Sequence, residues 1–320
     1  MDRNIALEFV RVTESAAIAS ARWVGRGDKN AADKAATEMM RKNFNNLDIN
    51  GRIVIGEGER DEAPMLFIGE KVGKGAGLEL DIAVDPLECT NSVAYGRPNA
   101  ISVMAAAPKG TMLHAPDTYM DKIAVGPESV GVIDLDWPVE KNLAAVAKAK
   151  GMKVEDLMVM VLDRERHEKL IADIRKTGAR ITLIPDGDIS GAIAPCFPDS
   201  DVDVLMGIGA APEGVIAAAA INALGGEMQA RLKLRNNEER SRALKMGVKD
   251  PDAKLSAKDL VKTDSAIFVA TGISSGPLLK GVDFTSKGAI TRSVVIRQKT
   301  GTIRFIDTHH NFRGHKSHNR

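Results

Sequence analysis

Acidic residues of this chain gather just beyond short apolar runs, and that placement suggests metal-assisted chemistry. Glu57 and Glu59 stand in Gly56-Glu57-Gly58-Glu59, with Asp61 and Glu62 close behind. Asp85 and Glu88 follow a second apolar run, Asp186 and Asp188 a third, and Glu213 a fourth. In α/β folds ligands bind beyond the carboxyl ends of strands. Carboxylates crowded there repel one another unless cations neutralise them. An all-oxygen donor set suits hard ions such as Mg²⁺ or Mn²⁺. Two such ions can orient a phosphoryl group, lower the pKa of a bound water and stabilise the leaving oxygen. Tyr119, Arg164 and Arg166 would hold the rest of an anionic substrate, because guanidinium forks match phosphate oxygens. Each feature also has a plain reading. Loop carboxylates are usually solvated, Asp186-Gly187-Asp188 could be a simple turn, and Arg164 and Arg166 could lie on a solvated face.

The elements that must position these residues read as follows. Ile5, Phe9, Val12, Ala16 and Trp23 recur at helical intervals. Asp28 is placed to cap a second helix reaching Phe44, ended by a turn-rich stretch over 45–51. Strands are expected at 52–55, 78–84 and 101–107. After about residue 130 the pattern alternates: helix 139–150, strand 157–162, helix 165–177, strand 180–184, strand 202–206, and an alanine-rich helix 212–224 with proline in its first turn. Such alternation predicts a layered α/β region with parallel strands. Strands at 266–270, 293–296 and 302–306 follow a charged helix-and-loop stretch over 236–257. The tail from His309 is expected to fray.

Composition bounds the function. A formal net charge of +1 argues against a broad nucleic-acid surface. No apolar run approaches a membrane span, and the first twenty residues lack a signal-peptide core. Two cysteines, Cys89 and Cys196, make no disulfide framework and suit a reducing cytoplasm. The C-terminal histidines at 309, 310, 315 and 318 lack zinc-site spacing.

The stretch Asp85-Pro86-Leu87-Glu88-x-Thr90, preceded by Gly56-Glu57-Gly58-Glu59, resembles the metal-binding motif of the lithium-sensitive phosphatase superfamily. Arg11-Val12-Thr13-Glu14, Gly25-Arg26-Gly27-Asp28-Lys29, Asp61-Glu62-Ala63-Pro64-Met65 and Ala211-Pro212-Glu213-Gly214 narrow the resemblance to the bacterial class II fructose-1,6-bisphosphatases, from about residue 3 to about residue 308. This resemblance implies a layered α/β/α/β/α sugar-phosphatase sandwich, divided into an N-terminal region 1–135 with most metal ligands and a C-terminal region 136–320 with substrate loops. It implies that Asp33 and Glu57 bind one metal and that Asp85, Glu88 and Glu213 bind a second. Thr90, Asp61 and Lys29 match catalytic positions. Glu88, Cys89, Thr90, Tyr119, Arg164, Glu165, Arg166, Asp186, Gly187, Asp188 and Ala210 match substrate-contacting ones.

The implied cofactor is Mn²⁺ or Mg²⁺. The implied reaction is removal of the 1-phosphate of fructose 1,6-bisphosphate by in-line attack of water, in gluconeogenesis, in a cytoplasmic homo-oligomer (dimer or tetramer). Sedoheptulose 1,7-bisphosphate is an alternative substrate. Two departures bear on activity: Cys89 and Ala210 stand where the family usually has glycine. Glycine reaches positive φ freely, whereas cysteine does so at a cost of about 1 kcal/mol or more. Cys89 could therefore be tolerated, could misplace Thr90 and leave a catalytically weak phosphosugar-binding protein, or could make the site sensitive to oxidation.

Overall fold

The computed structural model describes residues 4–58 and 65–312. Helix α1 (Ile5–Ala21) buries Phe9, Val12 and Ala16. Helix α2 (Lys29–Phe44) starts where expected, with the Asp28 side chain accepting the Ala31 N–H at 2.9 Å. The chain then builds β1 (Ile49–Ile55), β2 (Lys71–Val72), β3 (Leu78–Glu88), the short α3 (Thr90–Tyr95), β4 (Ile101–Pro108) and β5 (Tyr119–Val125). Next come α4 (Val139–Lys150), β6 (Met158–Leu162), α5 (Glu168–Lys176), β7 (Arg180–Ile184), α6 (Asp188–Ile193), β8 (Val204–Ala210) and α7 (Ala211–Leu224). The last elements are β9 (Glu227–Lys233), α8 (Asn237–Lys245), β10 (Leu255–Ser256), α9 (Ala257–Leu260), β11 (Ile267–Gly272), β12 (Asp283–Phe284), β13 (Gly288–Arg297) and β14 (Thr302–Asn311).

Two sheets organise these strands. The first has order β12-β13-β11-β4-β3-β1-β2, with β14 added on β13; the second has order β10-β9-β5-β8-β6-β7. The first draws on residues 49–108 and 267–311, the second on 119–256. One face of the first sheet packs Ile53, Ile82, Met104 and Val269 against α1 and α2. Its other face meets α7, which with α6 and α9 packed beside it is covered by the second sheet through Met120, Met160, Leu205 and Met228. Helices α4 and α5 close the far side through Leu143, Val146, Ile171 and Ile174. The result is the expected five-layer α/β/α/β/α sandwich. Helix α7 is apolar all round, with Val215 to Ile221 at most 1 % exposed, as a helix between two sheets must be.

Several elements differ from the sequence reading. Strand β1 begins at Ile49, inside the stretch read as a turn, because Gly51 lets the strand press onto Ile82: a Cβ there would lie 2.6 Å from Ile82 Cδ1. Strands β5 and β9 were not foreseen. The second sheet is mixed: β6 pairs in parallel with β7 and β8, but β5 is antiparallel to both β8 and β9. The expected helix over 165–177 opens with a 3₁₀ turn before α5. Strand β14 carries the chain past His309, and His310 Nε2 lies 2.9 Å from Thr291 Oγ1, so the tail is still paired there. His315 and His318 lie outside the described residues. No helix among the described residues is long and apolar enough to cross a membrane.

Candidate functional site

Where the carboxyl ends of β1, β3 and β8 meet the first turns of α2, α3 and α7, a cavity of about 380 Å³ opens. Asp33, from α2, and Glu57, just past β1, stand as neighbours in its wall. Burial and the neighbouring Asp33 push Glu57 up to about 8, so this pair retains a proton near neutral pH. Asp85, late in β3, accepts the Leu87 N–H at 3.0 Å and is raised by burial and by the charges of Glu57, Glu213 and Asp33. Glu88 is 4 % exposed; its Oε1 accepts the Ile189 N–H at 3.2 Å, and its Oε2 is buried with no hydrogen-bond partner. Glu213, in the first turn of α7, also has a buried, unpartnered Oε2, and burial pushes it up to about 7. Such groups are costly unless a cation or proton satisfies them.

An all-oxygen set with orphaned oxygens fits a hard divalent cation. Asp33, Glu57, Asp85 and Glu213 ring the cavity. Among the described residues no three of His, Cys, Asp or Glu are already gathered closely enough to enclose an ion.

A second cavity of about 230 Å³ continues from the first, sharing Asp85, Cys89, Asp186, Ala210 and Glu213. Its far end is basic. Arg164 Nη2 holds Asp186 Oδ1 at 2.9 Å, and Arg166 donates from Nε and Nη2 to the Ile208 carbonyl. The Arg166 guanidinium sits 4.8 Å from the Tyr119 ring centre, a cation–π contact that fixes both side chains. Asp186 also accepts from Asn91 Nδ2 at 3.3 Å, which ties the basic end back to α3. Gly187, at φ +86°, turns the chain into α6, where Asp188 is buried.

Cys89 takes φ +72°, ψ +52°, the left-handed conformation that glycine would reach without strain. Thr90 nonetheless begins α3 and lines the carboxylate cavity. The thiol is buried, and burial together with Glu88, Asp186, Asp85 and Asp188 pushes its pKa up. Because the thiolate is the reactive form, these surroundings speak against an oxidation sensor. Ala210 has φ −79°, ψ +152°, ordinary extended backbone for alanine.

The geometry thus brings together Asp33, Glu57, Asp85, Glu88, Cys89, Thr90, Tyr119, Arg164, Arg166, Asp186, Gly187, Asp188, Ala210 and Glu213. Lys29 is exposed at the start of α2, Glu165 is exposed in the 3₁₀ turn, and neither lines either of these two cavities. Asp61 lies outside the described residues. Sequence reasoning missed Asn91, Asp117 and Lys122. Lys122 had a signal: it shares a β5 face with buried Met120 and Ala124, so a charge was placed on an apolar stripe.

Comparison with known proteins supplies a family context for this geometry. The family model for "Bacterial fructose-1,6-bisphosphatase, glpX-encoded" matches residues 3–310. A Haemophilus influenzae fructose-1,6-bisphosphatase class 2 is 50% identical over 323 residues, covering 97% of each chain. The Escherichia coli K12 fructose-1,6-bisphosphatase 1 class 2 is 48% identical, covering 97% of this chain and 96% of its own.

Proposed function

The chain belongs to the bacterial, glpX-encoded fructose-1,6-bisphosphatase family, and from that premise we propose that it hydrolyses the 1-phosphate of fructose 1,6-bisphosphate to give fructose 6-phosphate and phosphate. The observation that carries this reading is one continuous cleft with carboxylates at one end and guanidinium groups at the other. A ligand with a phosphate at each end of a sugar matches that polarity.

Asp33 and Glu57 would hold one divalent cation, and Asp85, Glu88 and Glu213 another, with Mn²⁺ or Mg²⁺ as the fitting ions. When bound, these ions supply charge neutralisation for the phosphate and the leaving oxygen and lower the pKa of water. The chain's own residues then act by position. Thr90, at the head of α3, offers its hydroxyl to orient the attacking water in line with the scissile P–O bond. Asp61 is the proposed acceptor of that water's proton, and Lys29 the supporting basic residue. Water attacks phosphorus, the bond from phosphorus to the sugar oxygen breaks, and no covalent phosphoenzyme forms.

At the other end Arg166 and Tyr119 grip the phosphate that is retained. Arg164, oriented by Asp186, adds a further donor. Asp186 and Asp188 accept from sugar hydroxyls. Membership of the family supports a gluconeogenic, cytoplasmic role for a homo-oligomer, as dimer or tetramer.

The test is phosphate release from fructose 1,6-bisphosphate with Mn²⁺, Mg²⁺ or EDTA, with sedoheptulose 1,7-bisphosphate alongside. Release that needs metal and stops in EDTA is expected. No release by folded protein with either metal would overturn the reading, and faster turnover of the seven-carbon substrate would reassign its preference.

A further inference from the structure

Lys122 is among the largest fully buried side chains of the protein, at 2 % exposure, and it sits directly behind the cleft. Its ammonium lies 2.5 Å from Asp188 Oδ2 and donates to the Ala210 carbonyl at 2.9 Å. These are two separate elements of the cleft: Asp188 opens α6 and Ala210 closes β8. The niche around the ion pair is made by absent side chains. A Cβ on Gly209 would lie 1.8 Å from Asp188 Oδ2 and 2.8 Å from Lys122 Nζ, and one on Gly214 would lie 3.4 Å from Lys122 Cδ and 2.6 Å from Met120 Sδ. A buried ion pair of this kind adds little stability over an apolar pair of equal volume, so its presence calls for another use. Asp188 lines the basic cavity while its Oδ2 is held from behind. A carboxylate presented this way accepts from a sugar hydroxyl and repels a phosphate, which makes it a reader of the sugar.

We propose that Lys122 is a positioning residue for sugar recognition, locking the Asp188 carboxylate and the Ala210 strand end into one rigid hydroxyl-reading wall. The proposal rests on the phosphatase reading above and deepens it: the substrate is selected by its polyol body as well as by its phosphates. Lys122 itself touches no substrate, since it is enclosed by Asp188, Gly209 and Gly214.

Three variants test this: Lys122→Arg, which keeps the charge with a different shape; Lys122→Gln, which keeps donors without charge; and Gly209→Ala, which keeps both partners and displaces them. Each is assayed well below its own Tm, in saturating Mg²⁺, with fructose 1,6-bisphosphate and with phenyl phosphate, which has no sugar. The expected result is a rise in KM for the sugar bisphosphate of about tenfold or more, with kcat within about threefold and phenyl phosphate turnover unchanged. The inference is overturned if any folded variant keeps the wild-type KM for the sugar bisphosphate, or loses activity on both substrates in equal proportion, as a merely structural role would require. Failure of the wild-type protein to release phosphate would instead sink the phosphatase reading, so the two failures are distinct.

Discussion

Removing divalent metal should make this protein less stable as pH rises from about 5 to about 8, the reverse of what paired surface carboxylates would give. The cause is the cluster of Asp33, Glu57, Asp85, Glu88 and Glu213: burial raises every member, and the charge of neighbouring carboxylates adds to the rise at Glu57, Asp85, Glu88 and Glu213. A carboxyl raised by folding binds its proton more tightly in the folded state. Its stabilisation is full below the unfolded value and is lost as pH climbs through the folded one. For Glu57 the rise from 4.5 to about 8 corresponds to about 5 kcal/mol. For Glu213 the rise to about 7 corresponds to about 3 kcal/mol. Water in the open cavity screens part of this, so about 4 kcal/mol is the expected net loss. At about 2 °C per kcal/mol for a chain of this size, that is about 8 °C of Tm. Divalent cations compete with the same protons, so the Tm gain from Mg²⁺ or Mn²⁺ should widen over the same interval. Calorimetric scans in EDTA and in metal, from about pH 5.5 to about 8.5, measure both trends. A metal-free Tm that stays flat or rises, with Glu57→Gln superimposed on wild type, would refute the reasoning.

Other perturbations follow from particular contacts. Cys89→Ala keeps the left-handed backbone strain while Cys89→Gly removes it, so the glycine variant should unfold about 1 kcal/mol later than the alanine one in urea. Mild peroxide should leave wild-type activity unchanged, because the Cys89 thiol is buried and held protonated; loss of activity that Cys89→Gly prevents would reverse that view. Gly187→Ala places a Cβ 2.4 Å from Cys89 Sγ at a positive φ and should cost about 2 kcal/mol. Adding Cys89→Gly should recover about half of that cost, and simple additivity of the two changes would contradict the contact. Arg166→Ala should raise KM for fructose 1,6-bisphosphate by about 10- to 100-fold, the range of a lost charge-assisted bond to phosphate. An unchanged KM would remove Arg166 from the substrate site.

What the sequence made legible depended on whether a local signal matched the burial it served. The alternation of strands and helices made a layered α/β region legible, while the five layers were implied only by the family resemblance; α7, alanine-rich and buried nearly all round, suits the place between two sheets that the structure gives it. The cap at Asp28 and the acidic residues past β1, β7 and β8 were readable for the same reason, each lying at a boundary that propensity marks, whereas Asp85 and Glu88 stand within the carboxyl end of β3 rather than beyond it. Strand β5 was hidden because Asp121 and Lys122 stand side by side in it, and a buried lysine defeats apolar alternation. Strand β9 did alternate, with Met228, Ala230 and Leu232 buried between polar neighbours, but the run is short and lies between the alanine helix and a charged segment. Asp33 carried no local mark at all. On α2 it reads as one more polar helix residue, and only its approach to Glu57 across the cavity gives it significance.

Ala210 and Cys89, the two positions where the resemblance implies glycine, separate two reasons for having one. Ala210 adopts extended backbone open to any residue, so the added methyl meets no conformational barrier. Cys89 does occupy a left-handed position, yet strain of about 1 kcal/mol is a cost a folded protein can absorb, and the thiol fills the space over Gly187. Gly209 and Gly187 are a different matter, because there a Cβ would run into Asp188 or into Cys89 itself. Steric exclusion at van der Waals overlap is far steeper than a torsional preference, so it is the crowded glycines that constrain this cleft, and the strained one that can vary. The same distinction explains how Thr90 can keep its place at the head of α3 behind a cysteine.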